Sequence, residues 1–158
     1  MKGDGKWIWL AGDAGTDYNE AVEFATDFTI AGPVRQAAFS IAADSWYRLR
    51  INGKWAGDGP GRSWPEHYRY DVIDVAEYLQ TGWNTVEILV RYFGCGTFHQ
   101  LPRRGGLIFE LEVDGQIAAA SCDGMPARRW TPLRREVPKV SVQQEPVEYV
   151  DLRRIPGA

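Results

Sequence analysis

Seven consecutive positions, Arg62-Ser63-Trp64-Pro65-Glu66-His67-Tyr68, bring together an indole, a phenol, an imidazole and both signs of charge. An indole stacks on the apolar face of a sugar ring, and arginine, glutamate and histidine hydrogen-bond to hydroxyl groups. Arg62, Trp64, Glu66 and His67 are therefore the candidate ligand-binding set. The same stretch also suits a structural role, with Trp64 and Tyr68 plugging one end of a fold and Arg62 paired to a carboxylate. Both readings stand at this level.

Catalysis asks for more than these residues offer. Glycoside hydrolysis needs two carboxylates facing each other across a cleft. The nearest set in sequence is Glu66, Asp71 and Asp74. Asp71 and Asp74 flank the start of a helical-looking turn, where an aspartate ordinarily caps. A Ser-His-Asp triad would have to use His67 or His99, the only histidines, and no Gly-x-Ser-x-Gly elbow is present. No catalytic residue is assigned. Two histidines with no grouped cysteine or carboxylate spacing give no zinc signature. No cofactor is implied, although calcium held by backbone carbonyls leaves no mark in a sequence and stays open.

The candidate loop follows "NGKWAGDGPG", four glycines and a proline in residues 52–61. A phosphate cradle needs a run of free backbone N–H groups leading into a helix. Pro60 deletes one of them, no Gly-Lys-Ser/Thr follows, and Pro65 opposes a helix. Asn52-Gly53 is instead a hairpin signal, because both central residues of a type I′ turn need positive φ.

The elements that must position this loop are strands. Period-two alternation places Val22, Phe24, Thr26, Phe28 and Ile30 on one face, then Ala37, Phe39 and Ile41, then Tyr47, Leu49 and Ile51. Val86, Ile88, Val90 and Tyr92 continue it with Glu87 and Arg91 outward, and "GLIFELEV" and "QIAAAS" flank a second hairpin signal at Asp114-Gly115. Only "DVIDVAEYLQTG" reads as helical, with Val72, Val75 and Leu79 at i, i+3 and i+7 and Gly82 to close it. The fold class expected is all-β, a jelly-roll β-sandwich with one short helical connection and an extended C-terminal tail.

Residues 1–124 carry 11 Lys+Arg and 17 Asp+Glu, whereas residues 125–158 carry 7 and 4. This places a sandwich over 1–124 and a basic, five-proline linker or tail over 125–158. The tail is expected to be less stable than the sandwich and partly held by contacts outside it. A net charge of −3 argues against nucleic acid as a partner. The N-terminus has only a four-residue apolar run, too short for a signal or membrane segment, so the expectation is a cytoplasmic chain or one whose leader was removed. Cys95 and Cys122 are expected to be free thiols. Seven tryptophans exceed what such a core needs, so some belong on the surface.

Together these residues form a recognisable string. "YRLRINGKWAGDGPGRSWPEHYRYDVIDVAEYLQTGWNTVEILVRYFG" resembles the amino-terminal, galactose-binding-like β-sandwich module of bacterial alpha-L-rhamnosidases. Asn52, Gly53, Gly57, Gly59, Pro60, Arg62, Tyr70, Asp71, Asp74, Leu79, Gly82 and Asn84 stand in the register of that pattern. "WIW" near the start, "RRGGLIFELEV", Trp130 and the tail fit as well. One departure is Val150-Asp151-Leu152-Arg153, where the family usually has Tyr-Asp-Ala-Arg. The resemblance implies a non-catalytic accessory domain of a glycoside hydrolase whose catalytic barrel lies elsewhere. Its partners would be carbohydrate, including rhamnose-containing glycans, and downstream domains of the same enzyme. The alternative it leaves is a purely structural domain docked on those neighbours.

Overall fold

The computed structural model describes residues 1–64, 66–98, 100–101 and 103–155. Pro65 and His99 therefore lie outside the described residues. Two antiparallel sheets pack face to face. Strands β1 (Glu20–Ile30), β3 (Trp46–Ile51), β4 (Lys54–Gly59), β6 (Gly82–Tyr92) and β9 (Ala127–Arg129) form one, in the order β4-β3-β6-β1-β9. Strands β2 (Ala37–Asp44), β5 (Asp71–Asp74), β7 (Gly106–Val113) and β8 (Gln116–Ala120) form the other, in the order β5-β2-β7-β8. The all-β sandwich expected from the alternation is the fold observed.

Its core is the alternation made physical. Val22, Phe24, Tyr47, Leu49, Ile51, Val86, Ile88 and Val90 face inward from one sheet. Phe39, Ile41, Leu107, Phe109 and Leu111 meet them from the other. The rings of Phe39 and Phe109 stack at 5.1 Å. Each such side chain, moved from water, contributes roughly 1.5–3 kcal/mol.

Both predicted hairpins are present. Asn52 and Gly53 have φ of 52° and 75°, and Asp114 and Gly115 have 48° and 87°. Asn84, fully buried at the start of β6, ties the turn before it together. Its Oδ1 accepts from Gln80 N–H and Asn52 Nδ2, both at 2.9 Å, and its Nδ2 donates to the Gln80 carbonyl at 2.7 Å and the Gly82 carbonyl at 3.0 Å.

Two expectations are corrected. The helical reading of "DVIDVAEYLQTG" gives way to a strand, β5, paired with β2, and then a single 3-10 turn at Ala76–Tyr78. A valine-rich stretch beside an unpaired sheet edge gains more from ladder hydrogen bonds than from one short helix. Asp74 still accepts from the Ala76 N–H at 3.1 Å, as a turn aspartate does. Asp71 has a different partner, the Tyr47 hydroxyl at 2.6 Å.

The second correction is Arg91. Alternation places it on the outer face of β6, yet only 7% of it is exposed. The tail covers it. Beyond β9, Leu133 bridges to Val150 and Lys139 to Pro146, and these segments close over that end of the sheet. Arg91 donates to Asn19 Oδ1 through Nε at 3.1 Å and Nη2 at 3.0 Å, and to the Pro146 carbonyl at 2.7 Å.

Candidate functional site

The 60–70 loop joins β4 to β5, and the 93–105 loop joins β6 to β7. Gly59 pairs with Tyr47, Tyr47 with Val90, and Asp44 with Gly106, so both connections leave the same end of the sandwich. That end is where the candidate residues sit.

The first loop is pinned at its base. Gly59 lies against the Tyr47–Asp71 hydrogen bond, where a Cβ would overlap the Asp71 Oδ2 and come within 2.8 Å of the Tyr47 hydroxyl oxygen. Only glycine leaves room for that bond. Further along, Tyr68 donates its hydroxyl to Asp44 Oδ2 at 2.6 Å and packs its ring 5.0 Å from that of Trp7. Burial pushes the Asp44 carboxyl above the ordinary carboxylate range, although the Tyr68 and Ser45 hydroxyls favour its charged form. Burial, and its donation to Asp44, raise the Tyr68 phenol in turn. Tyr68 is thus the plug that a structural role requires.

Trp64 is not. It is 57% exposed, at the tip of a tight turn closed by the His67 N–H donating to the Trp64 carbonyl at 2.9 Å. The Arg62 guanidinium lies 5.7 Å from the centre of its ring, a cation–π contact rather than a carboxylate pair. Arg62, Ser63 and Trp64 line one side of a groove of about 190 Å³. Phe98, Gln100 and Leu101 from the second loop line the other. Gln100 is fixed by its own bonds, its Nε2 donating to the Ser45 carbonyl and its N–H to Thr97 Oγ1, both at 2.9 Å.

The four candidates therefore divide. Arg62 and Trp64 share the groove. Glu66 turns away to accept from Arg103 Nη2 at 2.6 Å, an exposed pair that links the two loops, and His67 serves the turn through its backbone. Phe98, Gln100 and Leu101 were not anticipated. The only hint in the sequence was a further aromatic in a glycine-flanked connection, "FGCGTFHQL".

Chemically, the arrangement offers an indole face, two further apolar surfaces, a guanidinium and an amide. The volume is below the roughly 300–1,000 Å³ of pockets that enclose a drug-sized ligand, and suits a single ring. Each of Glu66, Asp71 and Asp74 has a structural partner. Among the described residues, Asp13, Asp17 and Glu20 are the one acidic group close enough to share a cation. Arginines from the tail occupy it, however: Arg129 bonds to Asp13 and Glu20, and Arg135 to Asp17. Both cysteines are free.

No family model matches the chain, and no curated protein does. Solved structures do. A GH78 family rhamnosidase of Bacillus sp. GL1 is 38% identical with a TM-score of 0.89, over 95% of this chain and 16% of that one. An alpha-L-rhamnosidase from Aspergillus terreus is 22% identical with a TM-score of 0.70, over 83% of this chain and 17% of that one. A lectin from Pleurotus ostreatus, solved in complex with GalNAc, is 18% identical with a TM-score of 0.60, over 92% of this chain and 42% of that one. The last two are distant enough to speak for the fold alone. The resemblance to a β-sandwich module of rhamnosidases holds, and this chain corresponds to a small domain of those larger enzymes.

Proposed function

We propose that this chain is a non-catalytic accessory domain of a rhamnosidase-like glycoside hydrolase, and that it binds carbohydrate at the groove between the 60–70 and 93–105 loops. One observation carries the reading: Trp64 is held out to solvent by a loop that Tyr68 fixes in place. A rigid, exposed indole beside an arginine and an amide is what stacking on one sugar ring requires. Similarity to a rhamnosidase at 38% identity supports a carbohydrate ligand, rhamnose-containing glycans included. Affinity from one shallow stack is expected on the order of millimolar, about 4 kcal/mol.

A second reading, docking onto a neighbouring domain, has its own observation. Val140 and Val142 are 77% and 80% exposed, and the Phe98 N–H donates to the nearby Gln143 carbonyl at 2.7 Å. Apolar surface therefore runs from the groove onto the tail.

Titrating L-rhamnose and oligosaccharides while following amide and indole N–H shifts separates the two. Shifts centred on Trp64 that Trp64→Ala abolishes are expected. Absence of any shift with every sugar would leave the docking reading. The same chain should turn over no aryl rhamnoside, and turnover abolished at Glu66 or Asp71 would overturn the non-catalytic assignment.

A further inference from the structure

The outer face of the five-stranded sheet holds a larger groove, of about 580 Å³. Its floor is a ladder across four strands. In register, Arg50 on β3 faces Glu87 on β6, and Arg48 on β3 faces Leu89 on β6. Leu89 faces Glu23 on β1, which faces Arg128 on β9. Trp130 follows β9, its backbone N–H donates to the Ala21 carbonyl at 2.8 Å, and it lines the groove beside this ladder. The returning tail makes the wall through Glu148 and Val150.

Three features define what would fit. First, the groove has three arginines and three glutamates in its lining, so its net charge is zero. That gives no electrostatic pull on a polyanion, whether nucleic acid or acidic glycan. Second, its charges are unequally engaged. Glu23 is bonded to Arg128 at 2.6 Å, and Arg48 to Asp58 at 3.1 Å. The side chains of Arg50 and Glu87, residues directly opposite each other, have no hydrogen bond or ion pair among the described residues. An adjacent donor fork and acceptor pair matches neighbouring hydroxyls, one giving and one receiving. Third, the volume is about three times that of the loop groove, within the range of ligand pockets, and an indole borders it.

We infer that this face is a second carbohydrate subsite, for a neutral oligosaccharide of two or three rings, with Trp130 stacking and Arg50 and Glu87 binding hydroxyls. The inference rests on the reading of the chain as a carbohydrate-binding domain, but on different residues.

The test uses the full chain, labelled with ¹⁵N, titrated with L-rhamnose, a rhamnotriose, cellotriose, maltotriose and trigalacturonate. At least one neutral trisaccharide should give saturable shifts of the Trp130 indole N–H and of amides 48–50 and 87–89, and trigalacturonate should give none there. Arg50→Ala should weaken that binding about tenfold, the loss of a charge-assisted bond pair. Arg50 is exposed, so the variant should keep its dispersed spectrum. Trp64→Ala should leave the binding unchanged. No saturable shift at these positions with any neutral trisaccharide would overturn the inference, as would tighter binding of trigalacturonate or an unaffected Arg50→Ala. Shifts at Trp64 alone would sink the second subsite and keep the loop site. Shifts at Trp130 alone would do the reverse.

Discussion

Replacing Arg91 by methionine tests whether the tail is built into the fold or merely laid on it. The guanidinium holds the buried Asn19 side chain through two N–H groups, at 3.1 and 3.0 Å, and the Pro146 carbonyl through a third contact at 2.7 Å. A hydrogen bond from a charged group contributes about 1.5–3 kcal/mol, and a buried acceptor left without a donor costs about 1–3 kcal/mol. Against this, burial disfavours the guanidinium's charge, and that cost disappears in the variant. The Glu148 pair, at 3.3 Å with the carboxylate largely exposed, adds little. The net expectation is a loss of about 3 kcal/mol, near the lower end of what removing one partner of a buried ionic cluster costs. Arg91→Lys should fall between, because an ammonium keeps the charge but not the fork.

Urea unfolding gives the total, and hydrogen exchange shows where it is lost. The Arg134, Val147 and Asp151 amides bond to the Tyr149, Pro138 and Pro132 carbonyls, so they report on the tail directly. In Arg91→Met they should exchange much faster, while amides of β2 and β7 follow only the global change. A stability change under about 0.5 kcal/mol with unchanged exchange at those three amides would refute the reasoning, since every contact counted here would then be energetically idle.

Asn84→Ala removes four hydrogen bonds around a fully buried site and should cost about 3 kcal/mol by chemical denaturation; a cost below about 1 kcal/mol would mean that water replaces the amide. Glu110 accepts from the backbone N–H groups of Lys2, Gly3 and Gly5, which outweigh the upward push of burial and hold its carboxyl below the usual range. Its stabilisation is therefore present above the unfolded carboxylate value of about 4.3 and lost as pH falls through the lower folded value. Glu110→Gln should cost about 1–2 kcal/mol at neutral pH, with the difference from wild type shrinking towards pH 3; a constant difference would reject the assigned sign.

Most of the sandwich could be read from alternation, because a period of two is imposed by the pleat itself. Asn52-Gly53 and Asp114-Gly115 were legible for an equally local reason, the need for positive φ. The misreadings share another cause. Val72, Val75 and Leu79 satisfy a helical spacing over too few residues to exclude a strand, and the free edge of β2 decided the matter. Arg91 was assigned to the correct face, but alternation does not tell what covers a face, and here the tail does. The groove was half legible for the same reason. Arg62 and Trp64 are neighbours in sequence, whereas Phe98, Gln100 and Leu101 reach them only because β4 and β6 end on the same side.

The 60–70 loop shows how composition and availability differ. Trp64 and Tyr68 look equivalent as aromatics in a polar stretch, yet one is bound to the fold and the other is offered to solvent. Tyr68 has a hydroxyl, and a half-buried hydroxyl needs a partner; Asp44 supplies it at 2.6 Å, and the Trp7 ring covers the remainder. That anchor and the Tyr47–Asp71 bond hold the chain after the indole, and the pairing of Gly59 with Tyr47 holds it before. Fixing matters for binding because ordering a mobile loop around a sugar would consume a weak stacking energy of roughly 1 kcal/mol. The buried polar bonds at the base of the loop are thus what makes an exposed indole at its tip worth having. The same logic applies across the molecule on the outer sheet face, where Trp130 is held by a backbone bond while the side chains of Arg50 and Glu87 keep their polar atoms unengaged. In both places the residues that can serve a ligand are those whose neighbours have already satisfied the fold.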